Sequence, residues 1–463
     1  MPNVPRFMLA APSSGTGKTT VTLALLSALK ARGLDPVSFK CGPDYIDPMF
    51  HRAVLGIPGY NLDLFFTPEE TVRGLLCEHS EGKGIAVIEG VMGYYDGSGT
   101  GTEDSSYEMA CVTDTPVILI VSAHGAFLSV AATINGFKSF RKDSRIAGVI
   151  LNDCSKPLFD MMRDMLQRET GLPILGCLPR LKECAIESRH LGLVTAAEIR
   201  DLQYKISRLG DEAENSIDLD ALLAIAATAP LIAEHKSEVL PVTAAGPRIA
   251  YALDEAFCFY YEDNLNLLKK FGGALVPFSP LHNSVLPEDI HALYLGGGYP
   301  ELYAKALSEN ISMLESIQSA VSKGLPTFAE CGGYLYLLEE LEDANRVSYP
   351  MAGAIKGRGY KTTDLRRFGY ITLTAREDNL LCAAGESIPA HEFHYWYSTN
   401  TGNGCTARKP SGSEWPCTIA TPTLFAGFPH LYFRGNPKFA ENFVRVAAGH
   451  TGIRAAEDSG SYK

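Results

Sequence analysis

The sequence contains no uninterrupted apolar run of the roughly 18 to 20 residues that a membrane-spanning helix needs. Its best candidates, residues 116–123 and 221–233, are short or are broken by polar residues and proline. The first residues carry a single arginine and an apolar stretch of only about five residues, too little for a secretory signal. These absences predict a cytoplasmic protein with no membrane partner.

Basic residues are in the minority, with 41 lysines and arginines against 53 aspartates and glutamates and a formal net charge of −12. This charge repels phosphate backbones, so we expect no nucleic-acid partner. The 11 cysteines include no C-x-x-C pair and no zinc-ribbon spacing. An odd, unclustered set is typical of reduced thiols in a cytosolic protein.

The first half of the chain alternates short apolar segments with helical patterns. Segments that are apolar on both faces and separated by helices indicate a parallel sheet covered on both sides. The sequence therefore predicts an α/β domain with a doubly wound parallel sheet. We predict strands at 6–11, 36–40, 84–89, 116–122, 146–152 and 174–178, and a helix at 19–31.

A second alternating series begins after a segment rich in small, polar and proline residues near 234–247, which follows a helix-like stretch at 218–233. The 463 residues would suffice for about three domains, but the patterns indicate two α/β domains. Shorter runs at 370–421 are typical of antiparallel strands. We predict further strands at 248–252, 274–278, 292–295 and 326–329, and helices near 261–271 and 308–323. The predicted boundaries are 1–235, a linker at 236–247, 248–453, and a tail at 454–463.

Residues 11–20 read A-P-S-S-G-T-G-K-T-T and stand between a predicted strand and a predicted helix. There the backbone N–H groups can surround phosphate oxygens, Lys18 can neutralise charge, and Thr19 can hold Mg²⁺. The strict phosphate-loop pattern has glycine where this chain has Pro12, and a purely structural glycine turn is the alternative. We predict a nucleotide site formed by Ser14, Gly15, Thr16, Gly17, Lys18, Thr19 and Thr20.

Acidic residues follow two other predicted strands, in K-C-G-P-D-Y-I-D-P and E-G-V-M-G-Y-Y-D-G. The carboxyl ends of parallel strands face one crevice, so these groups should converge on the phosphate loop. Mg²⁺ prefers a hydroxyl, one or two carboxylates, phosphate oxygens and water. We predict magnesium at Thr19, Asp47 and Glu89, with Lys40 in the nucleotide site and Asp44 and Asp96 close by. Any one of these aspartates could instead cap a loop.

A thiol site is indicated by A-E-C-G-G, which reads as a strand, a sharp turn and a helix. The glycines after Cys331 permit the strained turn of a nucleophile elbow, with an exposed thiol whose thiolate the helix end would stabilise. Oxyanion donors are predicted at Gly297, Gly298 and Gly332. His430 is the candidate base, about 100 residues downstream. A core cysteine beside a turn is the alternative.

Two further histidines, His391 and His394, lie in P-A-H-E-F-H-Y-W-Y. Their spacing suggests a metal site, but no second pair follows at ligand spacing. In a strand they would face opposite sides of the sheet. We therefore expect a substrate contact or a structural role.

Taken together, these motifs and R-H-L-G-L-V, L-G-G-G-Y-P-E-L-Y and H-E-F-H-Y resemble the cobyrinic acid a,c-diamide synthase family. The likeness covers residues 6 to 437. It implies an amino-terminal domain similar to dethiobiotin synthetase and a carboxyl-terminal class I glutamine amidotransferase domain. It also implies Cys331 as nucleophile, His430 as base, ATP at residues 15–20, and Asp44, Asp47, Glu89 and Asp96 around magnesium and the activated carboxylate. Triad glutaminases usually have an acid two residues after the histidine, where this chain has Tyr432, so the third member stays open.

The resemblance implies ATP- and glutamine-dependent amidation of the a and c carboxylates of cobyrinic acid through acyl phosphates. Nickel sirohydrochlorin and hydrogenobyrinic acid are alternative acceptors. A phosphate-loop switch or partitioning ATPase is the alternative of another class, although it would need no elbow thiol. We expect ATP, glutamine and a tetrapyrrole polycarboxylate as small-molecule partners, Mg²⁺ as cofactor, and leave the oligomeric state open.

Overall fold

The computed structural model describes residues 4–184, 196–232 and 246–450. His190 and the predicted tail lie outside these ranges, as does most of the predicted linker. The chain divides into two compact units, Met1–Glu238 and Val239–Lys463. Within the described ranges, no helix is long and apolar enough to cross a membrane.

The first unit is built on a seven-stranded parallel sheet with the order β3-β2-β4-β1-β5-β6-β7. Its strands are β1 Arg6–Ala10, β2 Pro36–Cys41, β3 Gly59–Leu62, β4 Ile85–Glu89, β5 Val117–Ser122, β6 Ile146–Asn152 and β7 Ile174–Leu178. Its α-helices are α1 Lys18–Ala31, α2 Ile46–Phe50, α3 Glu69–Ser80, α4 Ser106–Val112, α5 Ser129–Phe140, α6 Lys156–Thr170, α7 Ala196–Ser216 and α8 Leu219–Ala226. A π-helix, His51–Leu55, continues α2, and a 3₁₀ turn spans Lys182–Cys184.

The order of the sheet positions the candidate phosphate site. Strands β1, β4 and β5 are buried along almost their whole length and separate two apolar clusters that cover the faces of the sheet. This confirms the predicted doubly wound parallel sheet. Because β4 lies between β1 and β2, the loops that follow these three strands meet at one edge.

Two predicted helices were wrong in extent, and one strand was missed. The helix expected at 218–233 is only Leu219–Ala226; the side chain of Asp218 caps its start, and Pro230 follows soon after its end. The helix expected at 308–323 is two helices, because Asn310 leaves the helical conformation and its amide donates to the carbonyls of Pro280 and Asn283. The short strand Gly59–Leu62 was not predicted.

The second unit contains a six-stranded sheet with the order β10-β8-β11-β13-β21-β20, parallel except for its last pair. Its strands are β8 Arg248–Ala252, β10 Ala274–Phe278, β11 Ala292–Leu295, β13 Thr327–Glu330, β20 Ile419–Ala420 and β21 Leu424–Gly427, and β9 Phe257–Phe259 pairs separately with β12 Gly297–Gly298. Its helices are α9 Glu262–Lys270, α10 Ala304–Glu309, α11 Ile311–Ser322, α12 Gly332–Leu337 and α13 Lys438–Gly449, with 3₁₀ turns at Pro300–Leu302 and Phe433–Gly435.

A further sheet of this unit is mostly antiparallel, as expected for 370–421. It is formed by β14 Glu340–Glu342, β15 Ser348–Pro350, β16 Arg358–Ala375, β17 Ser387–Ser398, β18 Cys405–Arg408, β19 Glu414–Cys417 and β22 His430–Leu431. The last of these strands follows β21 of the parallel sheet after two residues. Consequently His430 lies where the two sheets of this unit meet.

Candidate active sites

The phosphate loop joins β1 to α1 and depends on two glycines in the left-handed conformation, Gly15 with φ 77° and Gly17 with φ 95°. No side chain caps the start of α1 at Gly17, so the first N–H groups of the helix remain available to an anion. Asn152, at the end of β6, donates to the carbonyl of Thr16 at 2.9 Å and steadies the loop. Sequence reasoning missed Asn152 because only the fold brings β6 to this loop.

A cavity of about 500 Å³ lies in front of this loop. Its lining includes most of the predicted nucleotide and acidic residues, namely Ser14, Gly15, Gly17, Lys18, Thr19, Thr20, Lys40, Asp44, Asp47 and Glu89. Thr16 and Asp96 stand just outside that lining. Asp96 accepts the N–H of Gly93 at 3.0 Å and acts electrostatically on Lys18.

Lys18 bridges the phosphate loop and the loop after β4. Its ammonium donates to the carbonyl of Met92 and, at 3.3 Å, to that of Ser13. Burial, and then Lys40, lowers the pKa of Lys18. The two lysines thus repel each other and favour an anion between them.

The carboxylates gather around Lys40, whose ammonium lies 2.6 Å from Oδ2 of Asp47 and 2.7 Å from Oε1 of Glu89. Burial lowers the pKa of Lys40, but Glu89 and Asp47 outweigh it, so the net pKa is well above the ordinary value. The hydroxyl of Thr19 donates to the same Oε1 atom at 2.8 Å. Oε2 of the fully buried Glu89 has no hydrogen-bond partner among the described residues.

The set of ligands suits magnesium. Thr19, Asp47 and Glu89 meet in one cluster, and the Oε2 atom of Glu89 is an acceptor with nothing to accept from in the described parts of the chain. Such hard oxygen donors beside a phosphate cradle are what Mg²⁺ prefers. The residues present therefore fit the metal.

Asp44 combines a capping role with a place in the site. Its Oδ1 accepts the N–H of Ile46 at 2.9 Å and of Asp47 at 3.3 Å. Burial, followed by the charge of Asp47, raises the pKa of Asp44 to about 6. His51, which sequence reasoning also missed, lines the same cavity and is tied to Ser38 at 2.8 Å through Nδ1.

The candidate nucleophile, Cys331, stands between β13 and α12 with φ 47° and ψ −102°. This strained conformation is that of the predicted elbow. The N–H of Cys331 donates to the carbonyl of Gly427 at 2.7 Å. A Cβ atom on Gly332 would lie 2.9 Å from the backbone nitrogen of Gly298, so the elbow packs closely against β12.

Two expectations for this thiol were wrong. Cys331 is buried, with 8% of its surface exposed, where the sequence predicted an exposed thiol. Burial, and then the charge of Glu301, raises its pKa above the ordinary value, and only the N–H of Gly332 acts in the opposite direction. Desolvation therefore outweighs the predicted helix-end stabilisation of a thiolate, and a base is needed to remove the proton.

The candidate base, His430, is brought to the same place. A Cβ atom on Gly297 would lie 3.3 Å from both of its ring nitrogens. Burial, and then His391 and His394, lowers the pKa of His430 to about 3, so the imidazole is neutral at physiological pH. A neutral imidazole can accept a proton from a thiol.

Hydrogen bonds fix the segment that carries His430. Oε1 of Glu330 accepts the N–H of Leu431 at 2.7 Å, and the amide of Asn264 donates to the carbonyl of Leu431 at 2.8 Å. The hydroxyl of Tyr432, at the position where triad enzymes have an acid, donates to Asp263 at 3.1 Å. Glu330 directly precedes Cys331, so one buried carboxylate links the nucleophile to the strand of the base.

His391 and His394 are both buried and both act on His430. The register shifts in the pairing of β17 with β16 place their extra residues in β16, so the alternation of side chains along β17 is unbroken between His391 and His394. His391 lies directly across from His430 in the β17–β22 pairing. His394 stacks on Phe428, with ring centroids 4.0 Å apart.

Comparisons with known proteins agree with this division into two sites. Residues 7–194 match the family of CobQ/CobB/MinD/ParA nucleotide binding domains, and residues 248–436 match the CobB/CobQ-like glutamine amidotransferase domain. The chain is also similar over nearly its full length to proteins named cobyrinate a,c-diamide synthase. The relative from Listeria innocua is 41% identical, covering 93% of this chain and 97% of its own. Those from Dehalococcoides mccartyi strain 195 and Salmonella typhimurium are 38% and 39% identical, covering 97% and 95% of this chain and 100% and 98% of their own.

Proposed function

The chain belongs to the cobyrinate a,c-diamide synthase family, glutamine-dependent ligases of cobalamin biosynthesis, and on that premise we propose how its two sites divide the reaction. The first unit phosphorylates a carboxylate of cobyrinic acid with ATP. The second releases ammonia from glutamine, and the ammonia displaces the phosphate. The a and c carboxylates are amidated in this way. We place the enzyme in the cytoplasm, acting on small molecules and not on nucleic acid.

Activation is needed because a carboxylate at neutral pH repels nucleophiles and has no adequate leaving group. Ser14 to Thr20 would bind the ATP phosphates, and Lys18 would stabilise the charge that develops on the transferred phosphoryl group. Magnesium held by Thr19, Asp47 and Glu89 would neutralise phosphate charge. Lys40 holds the carboxylates of Asp47 and Glu89 in place through its two ion pairs, and Asp44 and Asp96 would border the acceptor carboxylate.

The steps in the second unit start from a protonated thiol and a neutral imidazole, both buried. As glutamine binds, the imidazole of His430 takes the proton of Cys331 and the sulfur attacks the side-chain amide carbon. The N–H groups of Gly297, Gly298 and Gly332 would hold the oxyanion. Breakage of the C–N bond, with the proton returned from His430, releases ammonia and leaves a glutamyl thioester. Water then hydrolyses the thioester to glutamate.

One observation carries this proposal. In one unit, the strained turn of a buried thiol and a neutral imidazole both approach the glycine strand Gly297–Gly298. In the other, a phosphate loop faces a lysine–carboxylate cluster. The substitution Cys331→Ser should abolish glutamate release while ammonia still supports amidation. Lys18→Ala should abolish amidation from either nitrogen source while Cys331 stays reactive towards a glutamine-like electrophile. Equal loss of both nitrogen sources in Cys331→Ser would refute the division of labour.

To identify the acceptor, the enzyme is to be incubated with MgATP, glutamine and a candidate tetrapyrrole. Cobyrinic acid, hydrogenobyrinic acid and nickel sirohydrochlorin are the three to compare. Each amidation replaces OH by NH₂, so mass spectrometry should show two successive losses of about one mass unit. Turnover of ATP without any amide product would instead favour a phosphate-loop switch.

A further inference from the structure

Strand β17 carries three buried polar side chains, each with one polar atom that has no hydrogen-bond partner among the described residues. His391, Glu392 and His394 expose 8%, 1% and 5% of their surfaces. Within the described parts of the chain, Nδ1 of His391, Oε2 of Glu392 and Nε2 of His394 make no hydrogen bond. A buried polar atom without a hydrogen-bond partner destabilises the folded protein. Three such atoms on one short segment therefore indicate a ligand-binding site.

The hydrogen bonds of His394 define what kind of ligand this is. Its Nδ1 lies 2.7 Å from the carbonyl oxygen of Trp396, and since a carbonyl only accepts, Nδ1 carries the proton. In the neutral tautomer that this bond selects, Nε2 presents a lone pair. The carboxylate of Glu392 presents only lone pairs, and its Oε2 lies 3.7 Å from Nε2, too far for a direct hydrogen bond. Within the described parts of the chain, neither atom has a hydrogen-bond donor.

These acceptors lie next to the reacting groups. His394 stacks on Phe428, and the preceding residue, Gly427, accepts the N–H of Cys331. The charge of Glu392 also contributes to raising the pKa of Cys331, which places the carboxylate within electrostatic reach of the thiol.

We propose that Glu392 and His394 form a binding subsite for a primary ammonium group in the glutaminase pocket. Such a group carries several N–H donors and a positive charge, so one nitrogen can bridge both acceptors and compensate the buried carboxylate. The α-ammonium group of glutamine has both these donors and this charge, and the ammonia that glutamine cleavage releases has the N–H donors alone. The inference rests on the proposed role of Cys331, and no covalent step is assigned to the subsite.

The test compares Glu392→Gln, which keeps the shape of the side chain and removes its charge, with Glu377→Gln, which removes a charge from an exposed position in the same unit. The substrates are glutamine and 4-carbamoylbutanoate, which lacks the α-amino group. If the subsite holds the α-ammonium group, Glu392→Gln should lower kcat/KM for glutamine on the order of 10- to 100-fold and leave that for the analogue unchanged. Glu377→Gln should change neither.

If the subsite instead holds released ammonia, glutamate release from glutamine should persist in Glu392→Gln, and the amide formed per glutamate released should fall at least twofold. The inference is overturned if glutamine kinetics and coupling both stay at wild-type values, or if glutamine and the analogue lose activity equally. His394→Phe, which keeps a ring on Phe428 and removes the Nε2 acceptor, should show a smaller change in the same parameter. If Glu392→Gln fails to fold, the same comparison is made with His394→Phe.

These results are distinguishable from failure of the proposed function. Labelling of Cys331 by iodoacetamide, which carries no ammonium group, should be retained in Glu392→Gln. Glutaminase activity that survived Cys331→Ser would refute the nucleophile assignment whatever Glu392→Gln shows. Loss of activity in Cys331→Ser, together with unchanged behaviour of Glu392→Gln, would refute the subsite alone.

Discussion

Substitution of Gly297 by alanine should separate the two halves of the reaction. A Cβ atom at this position would lie closer than 3.0 Å to Cε1 of His430 and 3.3 Å from both ring nitrogens. Because Gly297 has no positive φ, the alanine would add no backbone strain, and the whole effect falls on the imidazole. An ordinary carbon contact needs about 3.5 to 4 Å, so the ring must move by at least about 1 Å.

A displacement of about 1 Å in a catalytic group can cost about 100-fold in rate. We therefore expect Gly297→Ala to lower glutamate release from glutamine about 100-fold, mainly through kcat. Amidation driven by added ammonia should stay at the wild-type rate, because it does not use His430. The assay measures glutamate and amide in parallel under both nitrogen sources.

The matched control is Gly449→Ala at the end of α13, in the same unit, where an added Cβ atom meets nothing within 4 Å. This variant should behave as wild type under both nitrogen sources. Glutamate release by Gly297→Ala within about threefold of wild type would refute the reasoning, since it would mean that His430 tolerates displacement or takes no part. Equal loss under both sources would indicate damage to the fold.

Three further expectations follow from buried contacts. Asn152→Ala removes the hydrogen bond to the carbonyl of Thr16 that fixes the conformation of the phosphate loop. The KM for ATP should rise about tenfold, because the loop is then less well ordered for phosphate binding, and glutaminase activity should stay unchanged. Lys40→Met leaves Asp47 and Glu89 without their buried cation and should destabilise the first unit by about 3 to 5 kcal/mol, seen as faster hydrogen exchange there and not in the second unit. Burial lowers the pKa of His391 to about 4, so this residue takes up a proton on unfolding and the free energy of unfolding of the second unit should fall as pH drops from 6.5 towards 4. Both tryptophans lie in the second unit, so their fluorescence reports its unfolding. The substitution His391→Gln should make this fall with pH shallower.

The sequence predicted those parts of the sites that short contiguous motifs encode. Lys18 and Thr19 follow a glycine turn, and Glu89 ends a buried strand, so motif and sheet geometry together place them at one edge. The same logic located Cys331 in an elbow. Each of these predictions needed only a local conformation and the rule that parallel strands end together.

What sequence reasoning missed comes from contacts across the fold. Asn152 reaches the phosphate loop from a strand more than a hundred residues away, and Glu330 reaches the backbone of Leu431 over a similar separation. No periodicity encodes such pairs. The pKa of Cys331 was also predicted in the wrong direction, since burial depends on how β12 and β22 pack around the elbow, and the local helix end is the weaker effect.

The charges of the first site bear on the proposed magnesium. Lys18 and Lys40 stand against the carboxylates of Asp44, Asp47, Glu89 and Asp96, so acidic groups outnumber basic ones where a nucleotide and a substrate carboxylate must both bind. Lys40 is already engaged by two of these carboxylates, which leaves Lys18 as the cation nearest the loop. One lysine and a ring of N–H groups cannot balance the charge of a triphosphate next to further carboxylates. Thr19 and Glu89 would hold a divalent ion that offsets this repulsion. This electrostatic need supports the magnesium proposal, as does the Oε2 atom of Glu89, which has no hydrogen-bond partner among the described residues.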